Sequence, residues 1–244
     1  MKRLLIASIL LLAPGLASAS GGGGFHLEDA DIDLADKESL QRGAKYFVDH
    51  CMGCHSLKYM RYNRMGEDLG LDEVRVRRDF IFDTKTKPGD AMVSAMRPED
   101  GEQWFGTEVP DLTLVTRWRS PDWVFTYLKG FYADESRSYG VNNTVFPDVG
   151  MPHVLAGLQG LQKAVYTEGE GHGSLERLEA PARPGHLSAK EYDGMVRDLT
   201  NFLAYAGEPM KLERRRLGLY VLLFLGVLFA LAYALKKEYW KDIR

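Results

Sequence analysis

Five consecutive residues, Cys51-Met52-Gly53-Cys54-His55, limit what this chain can fold into more than the rest of its 244 residues. Two thiols three positions apart, with an imidazole directly after them, form the attachment pattern of a c-type haem. Each thiol adds across one vinyl group to give a thioether, and the histidine is held where a ring nitrogen meets the iron. A bare C-x-x-C leaves dithiol redox chemistry or half a zinc site open; the histidine narrows that choice. The chain holds two cysteines in all, so no disulfide framework of useful loop length is available, and a closed zinc site lacks its fourth ligand. The fold is therefore expected to enclose a large flat cofactor that supplies part of its own core.

The two ends say where such a fold resides. Met1-Lys2-Arg3, the apolar run Leu4 to Leu12 and Ala17-Ser18-Ala19 read as the basic, apolar and cleavage regions of a secretory signal peptide, cut after Ala19. Gly21 to Gly24 would then form a flexible leader. At the other end, Leu217 to Leu235 runs 19 residues without a charge. At 1.5 Å per residue that is roughly 28 Å, close to the ~30 Å hydrocarbon core of a bilayer. The stretch is apolar on every face, and Tyr220, Tyr233, Tyr239 and Trp240 lie near its ends, as interfacial aromatics do. Four basic residues flank it on each side, so the positive-inside rule is silent; export of the body assigns the tail from Lys236 to the cytoplasm. Three segments follow: a signal peptide at 1–19, an exported haem domain at 20–210, and a C-terminal anchor with a short tail at 211–244.

Without Lys2, Arg3 and the eight basic and three acidic residues from Lys211 onward, 21 basic residues face 31 acidic ones, a net charge of −10. Such a surface argues against nucleic acid as a partner and suits a basic protein. The body reads as mostly helical with long loops. A helical stripe of Leu40, Ala44, Phe47, Val48 and Cys51 begins at Asp36 and runs into the haem motif,. Ala91 to Trp104 suggests a short helix broken at Pro98. Ser120-Pro121-Asp122 opens a middle helix that Gly130 ends,. Tyr132 to Gly150 reads as loop, and Ala164 to Gly185 as a small hairpin. Ser188 to Glu191 is a capping box before an apolar stripe from Tyr192 to Ala206,.

An electron carrier fills both axial positions of its iron, and Met/His ligation raises the potential. Met92, Met96 and Met151 compete for the second position with His153, His172 and His186. Met151 follows Phe146-Pro147-Asp148-Val149-Gly150 and precedes Pro152; the two prolines stiffen the loop, and Gly150 allows close approach to the ring. His153 and an ordinary core role for the methionine stay open on spacing alone. A gas sensor or catalytic haem protein would need an open iron position.

The order of these features resembles the cytochrome c1 family over essentially the whole length. The resemblance rests on Cys51-Met52-Gly53-Cys54-His55-Ser56-Leu57, Pro110-Asp111-Leu112, Asp122-Trp123-Val124-Phe125, Phe146-Pro147 ahead of Met151, and the single C-terminal anchor after an Arg-rich stretch. Many members carry two prolines before the Asp-Leu, where this chain has Val109-Pro110. The resemblance implies a cytochrome c-like haem domain with one covalent haem c through Cys51 and Cys54, His55 and Met151 as axial ligands, and Arg117 on a haem propionate, a role open also to Arg119. It further implies an electron-transfer subunit of a bacterial bc1 complex, not catalytic by itself. One electron would come from the Rieske iron–sulfur protein and leave to a soluble or membrane-bound cytochrome c. Cytochrome b would lie beside the anchor in the inner membrane, within a dimeric complex, with the haem domain in the periplasm. The alternative is a membrane-anchored monohaem c-type cytochrome serving another respiratory oxidase or dehydrogenase.

Overall fold

The computed structural model describes residues 26–167, 175–181 and 183–242. The expected signal peptide at 1–19, the glycine leader, His172 and the tip of the expected hairpin lie outside the described residues. The rest is mostly helical with long loops, as expected, and carries three small antiparallel strand pairs.

Helix α1 (Lys37–His50) starts where the Asp36 carboxylate accepts from Ser39 N at 3.0 Å, and Glu38 sits in the first turn. These features satisfy an orphan amide and complement the helix dipole. Its buried stripe is Leu40, Gly43, Ala44, Phe47 and Val48. The chain leaves α1 directly into the cysteine motif, where His55 N donates to the Cys51 carbonyl at 2.8 Å. Strand β1 (Leu57–Arg61) and helices α2 (Tyr62–Leu69) and α3 (Glu73–Phe80) follow, in a stretch whose charge hides its periodicity. Strand β2 (Ala91–Met92) pairs back onto β1.

Pro98 does not break a helix; it begins one. Helix α4 (Pro98–Phe105) carries the proline in its first turn with Glu99 and Asp100, and Gly106 ends it at φ 73°. Proline fits there because the first amides of a helix have no internal partner. Helix α5 (Val115–Trp118) is a single turn, and α6 (Pro121–Lys129) is the expected middle helix, with Ser120 Oγ accepting from Trp123 N at 3.1 Å. Residues 132–150, expected as loop, include all of strand β4 (Val141–Asn143) and all but the first residue of β3 (Phe131–Ala133), paired as a hairpin. After the short helix α7 (Ala156–Gln159), the expected hairpin forms from β5 (Lys163–Tyr166) and β6 (Leu175–Glu179).

Helix α8 (Ala189–Gly207) holds the core together. Tyr192, Met195, Val196, Leu199, Phe202, Leu203 and Ala206 are buried along one side, packed on α1 and α6. Phe47 and Phe202 meet with ring centroids 6.0 Å apart. Both halves of its capping box are present: Ser188 Oγ accepts from Glu191 N at 3.3 Å, and Glu191 Oε2 accepts from Ser188 N at 2.9 Å. Ser188→Ala is expected to cost about 1 kcal/mol, read as a lower denaturation midpoint with the visible spectrum unchanged.

Helix α9 (Lys211–Tyr239) leaves the body and buries none of its residues against it. A helix whose central 19 residues, Leu217 to Leu235, carry no charge has no reason to stay bare in water, so it fits a membrane span. Its junction is pinned by Glu208, which pairs with Arg214 at 2.6 Å and also with Arg117.

Candidate haem site

Between the cysteine motif, α6, α8 and the loop after β4 lies a cleft of about 420 Å³, within the range that holds small-molecule cofactors. Cys51, Cys54 and His55 line it, and so does Met151, almost a hundred residues away in sequence. Leu112, Val115, Val124, Leu128, Leu199 and Leu203 supply an apolar lining.

The histidine is oriented by the segment that follows α4. Leu112 N donates to the Ser56 carbonyl at 2.9 Å and Lys58 N to the Asp111 carboxylate at 2.8 Å, so Pro110-Asp111-Leu112 is docked along 56–58. That docking presents the Pro110 carbonyl to His55 Nδ1 at 2.8 Å. A carbonyl only accepts, so Nδ1 carries the proton and Nε2 keeps a bare lone pair for a metal. Burial lowers the His55 pKa, opposed by the Pro110 contact and by Asp111, which keeps the ring neutral, as a ligand must be. Burial, with a smaller contribution from Cys54, pushes the Cys51 thiol up to about 12. That direction is opposite to the lowered pKa of a reactive dithiol.

The Met151 loop is held by side chains that no sequence motif marks. Asn142 Oδ1 accepts from Asp148 N at 2.9 Å, and Asn143 Oδ1 accepts from Val145 N at 3.0 Å. Asp148 turns the chain at φ 63° and pairs with Arg137 at 2.8 Å. Asn143 Nδ2 donates to the Tyr127 carbonyl at 2.8 Å, tying the loop to α6. The Tyr127 hydroxyl in turn lies 3.3 Å from Met151 Sδ.

Among the described residues, the other candidates for the sixth position go elsewhere. Met92 is buried in the main core on β2, opposite Leu57 of β1, and Met96 and His186 do not line the cleft. His153 is 8% exposed and stacks on Phe131, 4.7 Å between centroids and nearly parallel. Burial holds its imidazole down to about 4, the behaviour of a core residue.

The two arginines separate. Arg117 is not brought to the cleft: its guanidinium pairs with Glu208 on the far side of α5. Arg119 is brought there, lying over the rings of Trp118 at 4.1 Å and Trp123 at 4.8 Å. Its Nε is buried without a hydrogen-bond partner among the described residues. A planar guanidinium with a donor to spare, beside an apolar slot, suits a carboxylate attached to a flat apolar group. Together with the free Nε2 of His55 and the two cysteines, this donor set fits a haem with propionates.

Comparison with known proteins agrees with that fit. The profile of the "Cytochrome C1 family" matches residues 29–162 and 187–243. Cytochrome c1 of Allochromatium vinosum is 60% identical over 245 residues, covering 100% of both chains. The ammonia monooxygenase gamma subunit of Nitrosomonas europaea is 48% identical over 100% of this chain and 98% of its own. Cytochrome c1 of Rhodospirillum rubrum is 27% identical over 100% and 98%.

Proposed function

Because this chain belongs to the cytochrome C1 family and so carries a haem c bound covalently through Cys51 and Cys54, we propose that it relays single electrons within a bc1 complex. The donor is the Rieske iron–sulfur protein and the acceptor a soluble or membrane-bound cytochrome c. The observation that carries this reading is the convergence of Cys51, Cys54, His55 and Met151 on one apolar cleft, in a chain that ends in a bare membrane-length helix.

The haem supplies a one-electron couple; everything else falls to the side chains. His55 Nε2 and Met151 Sδ would hold the iron, a pair that would raise the potential and leave no coordination position open. The leucines and valines of the lining exclude water. Arg119, rather than Arg117, would hold a propionate. Trp118, Phe146 and Val154 line the cleft and are exposed, so its rim offers apolar contact to a docking partner, while the acidic surface steers a basic one. The body from residue 20 is periplasmic after loss of 1–19. Helix α9 crosses the inner membrane beside cytochrome b, with the tail in the cytoplasm, in a dimeric complex.

The Nitrosomonas relative, named as a subunit of an ammonia monooxygenase, favours a second reading, a membrane-anchored cytochrome c that serves another complex. Mild-detergent pull-down through a tag at the C-terminus separates the two. Recovery with a b-type haem subunit and a Rieske protein is the expected result; recovery with oxidase, dehydrogenase or monooxygenase subunits instead overturns the bc1 assignment.

A further inference from the structure

Tyr127 has a position that general haem enclosure does not require. Its ring stacks on Trp123 at 4.9 Å and 12°, and meets Phe131 edge-on at 5.2 Å. The carbonyl of the same residue receives Asn143 Nδ2. Ring and backbone are therefore fixed from three sides, and the hydroxyl that results is aimed at Met151 Sδ, 3.3 Å away. A thioether has no proton to give, so the phenol donates and the sulfur accepts.

We propose that Tyr127 is a positioning residue for the sulfur ligand, and that its hydrogen bond to Met151 Sδ holds the reduction potential of the chain higher than the Met/His pair alone would. The inference rests on Met151 being the axial ligand proposed above. A thioether sulfur has two lone pairs. With the Tyr127 O–H on one of them, the other is turned toward the metal, which selects one of the two ways a methionine can face it. The same hydrogen bond withdraws electron density from sulfur and makes it a poorer donor to the oxidised iron. The O–H dipole adds to this with its positive end toward the site. Both effects disfavour the extra positive charge of the oxidised state, so both raise the potential. This is the lever of outer-shell hydrogen bonding on a metal ligand, worked here by one residue in the last turns of α6 and one loop.

The test is redox titration of the detergent-solubilised full chain. Tyr127→Phe keeps the ring and removes the donor. It is expected to retain covalent haem and the far-red methionine-to-iron charge-transfer band while the midpoint potential falls. Site-specific 3-fluorotyrosine at position 127 is a stronger donor of almost the same size and is expected to move the midpoint upward, a readout that does not depend on the phenylalanine variant folding. Tyr127→Leu removes ring and donor together. An unchanged midpoint in Tyr127→Phe, or a fall seen with leucine alone, overturns the inference. If Met151→Leu loses the band while Tyr127→Phe has no effect, the inference falls and the ligand reading stands. If Met151→Leu keeps the band, both fall.

Discussion

Replacing Met151 by leucine is expected to abolish the methionine-to-iron charge-transfer band and to lower the midpoint potential by on the order of tenths of a volt, on the scale over which axial ligands tune haem. The sign follows from the ligand lost. A thioether is a soft neutral donor that favours the reduced state, whereas water or hydroxide in its place favours the oxidised one. The fold should survive, because leucine and methionine differ little in volume and such swaps cost less than about 1.5 kcal/mol. The loop itself is held by Asn142 and Asn143 rather than by the methionine. Covalent haem on a denaturing gel should therefore be unchanged, since Cys51 and Cys54 are untouched. An unaltered visible spectrum and potential would remove Met151 as a ligand and with it the closed-iron reading. A second expected change is new binding of cyanide or imidazole at concentrations that leave the parent chain unaffected.

What the sequence allowed one to read depended on how many residues shared each signal. Helices α1, α6 and α8 were legible because a cap, an acidic first turn and a repeated apolar stripe agree in each. The 19 uncharged residues from Leu217 announced α9 by length alone. Pro98 is ambiguous in the sequence because a proline both breaks helices and opens them. The acids at 99 and 100 and the glycine at 106 were the marks that distinguish opening from breaking. The first two strand pairs are two to five residues long, too short for alternation to show. Arg117 and Arg119 could not be told apart for a related reason. Two positions along a helix are turned by roughly 200°, so one faces the cleft and the other faces Glu208. Helix α5 is only four residues long, and no stripe gives its phase. Asn142 and Asn143 resemble turn residues by composition. Their burial and their hold on the Met151 loop depend on contacts that no local pattern carries.

The close crossing of α1 and α8 depends on Gly43. On an isolated helix, Gly43→Ala would stabilise by up to ~1 kcal/mol, because alanine is the better helix former. In this protein the sign is expected to reverse. Helix α1 crosses α8 so closely that a Cβ at residue 43 would lie 2.0 Å from the Asp198 carbonyl oxygen and 2.7 Å from Phe202 Cβ. The first is main chain of a well-packed helix and cannot rotate away, so the helices must part. Overpacking of this kind costs about 1–3 kcal/mol and sometimes more. The displacement also strains the contact of Phe47 with Phe202 and the Arg42–Asp198 pair at 2.6 Å. Since α1 runs straight into Cys51, the thiols and His55 shift with it, and a lower yield of attached haem should accompany the lower denaturation midpoint. Gly194 provides the opposite case on α8 itself. It is exposed, and a Cβ there meets nothing within 4 Å, so Gly194→Ala should raise the midpoint by the propensity gain alone. Urea titration of the two variants beside the parent checks both signs at once. If the two glycines respond alike, helix propensity rather than the close crossing governs α1, and the crossing is not what sets the haem motif against the core.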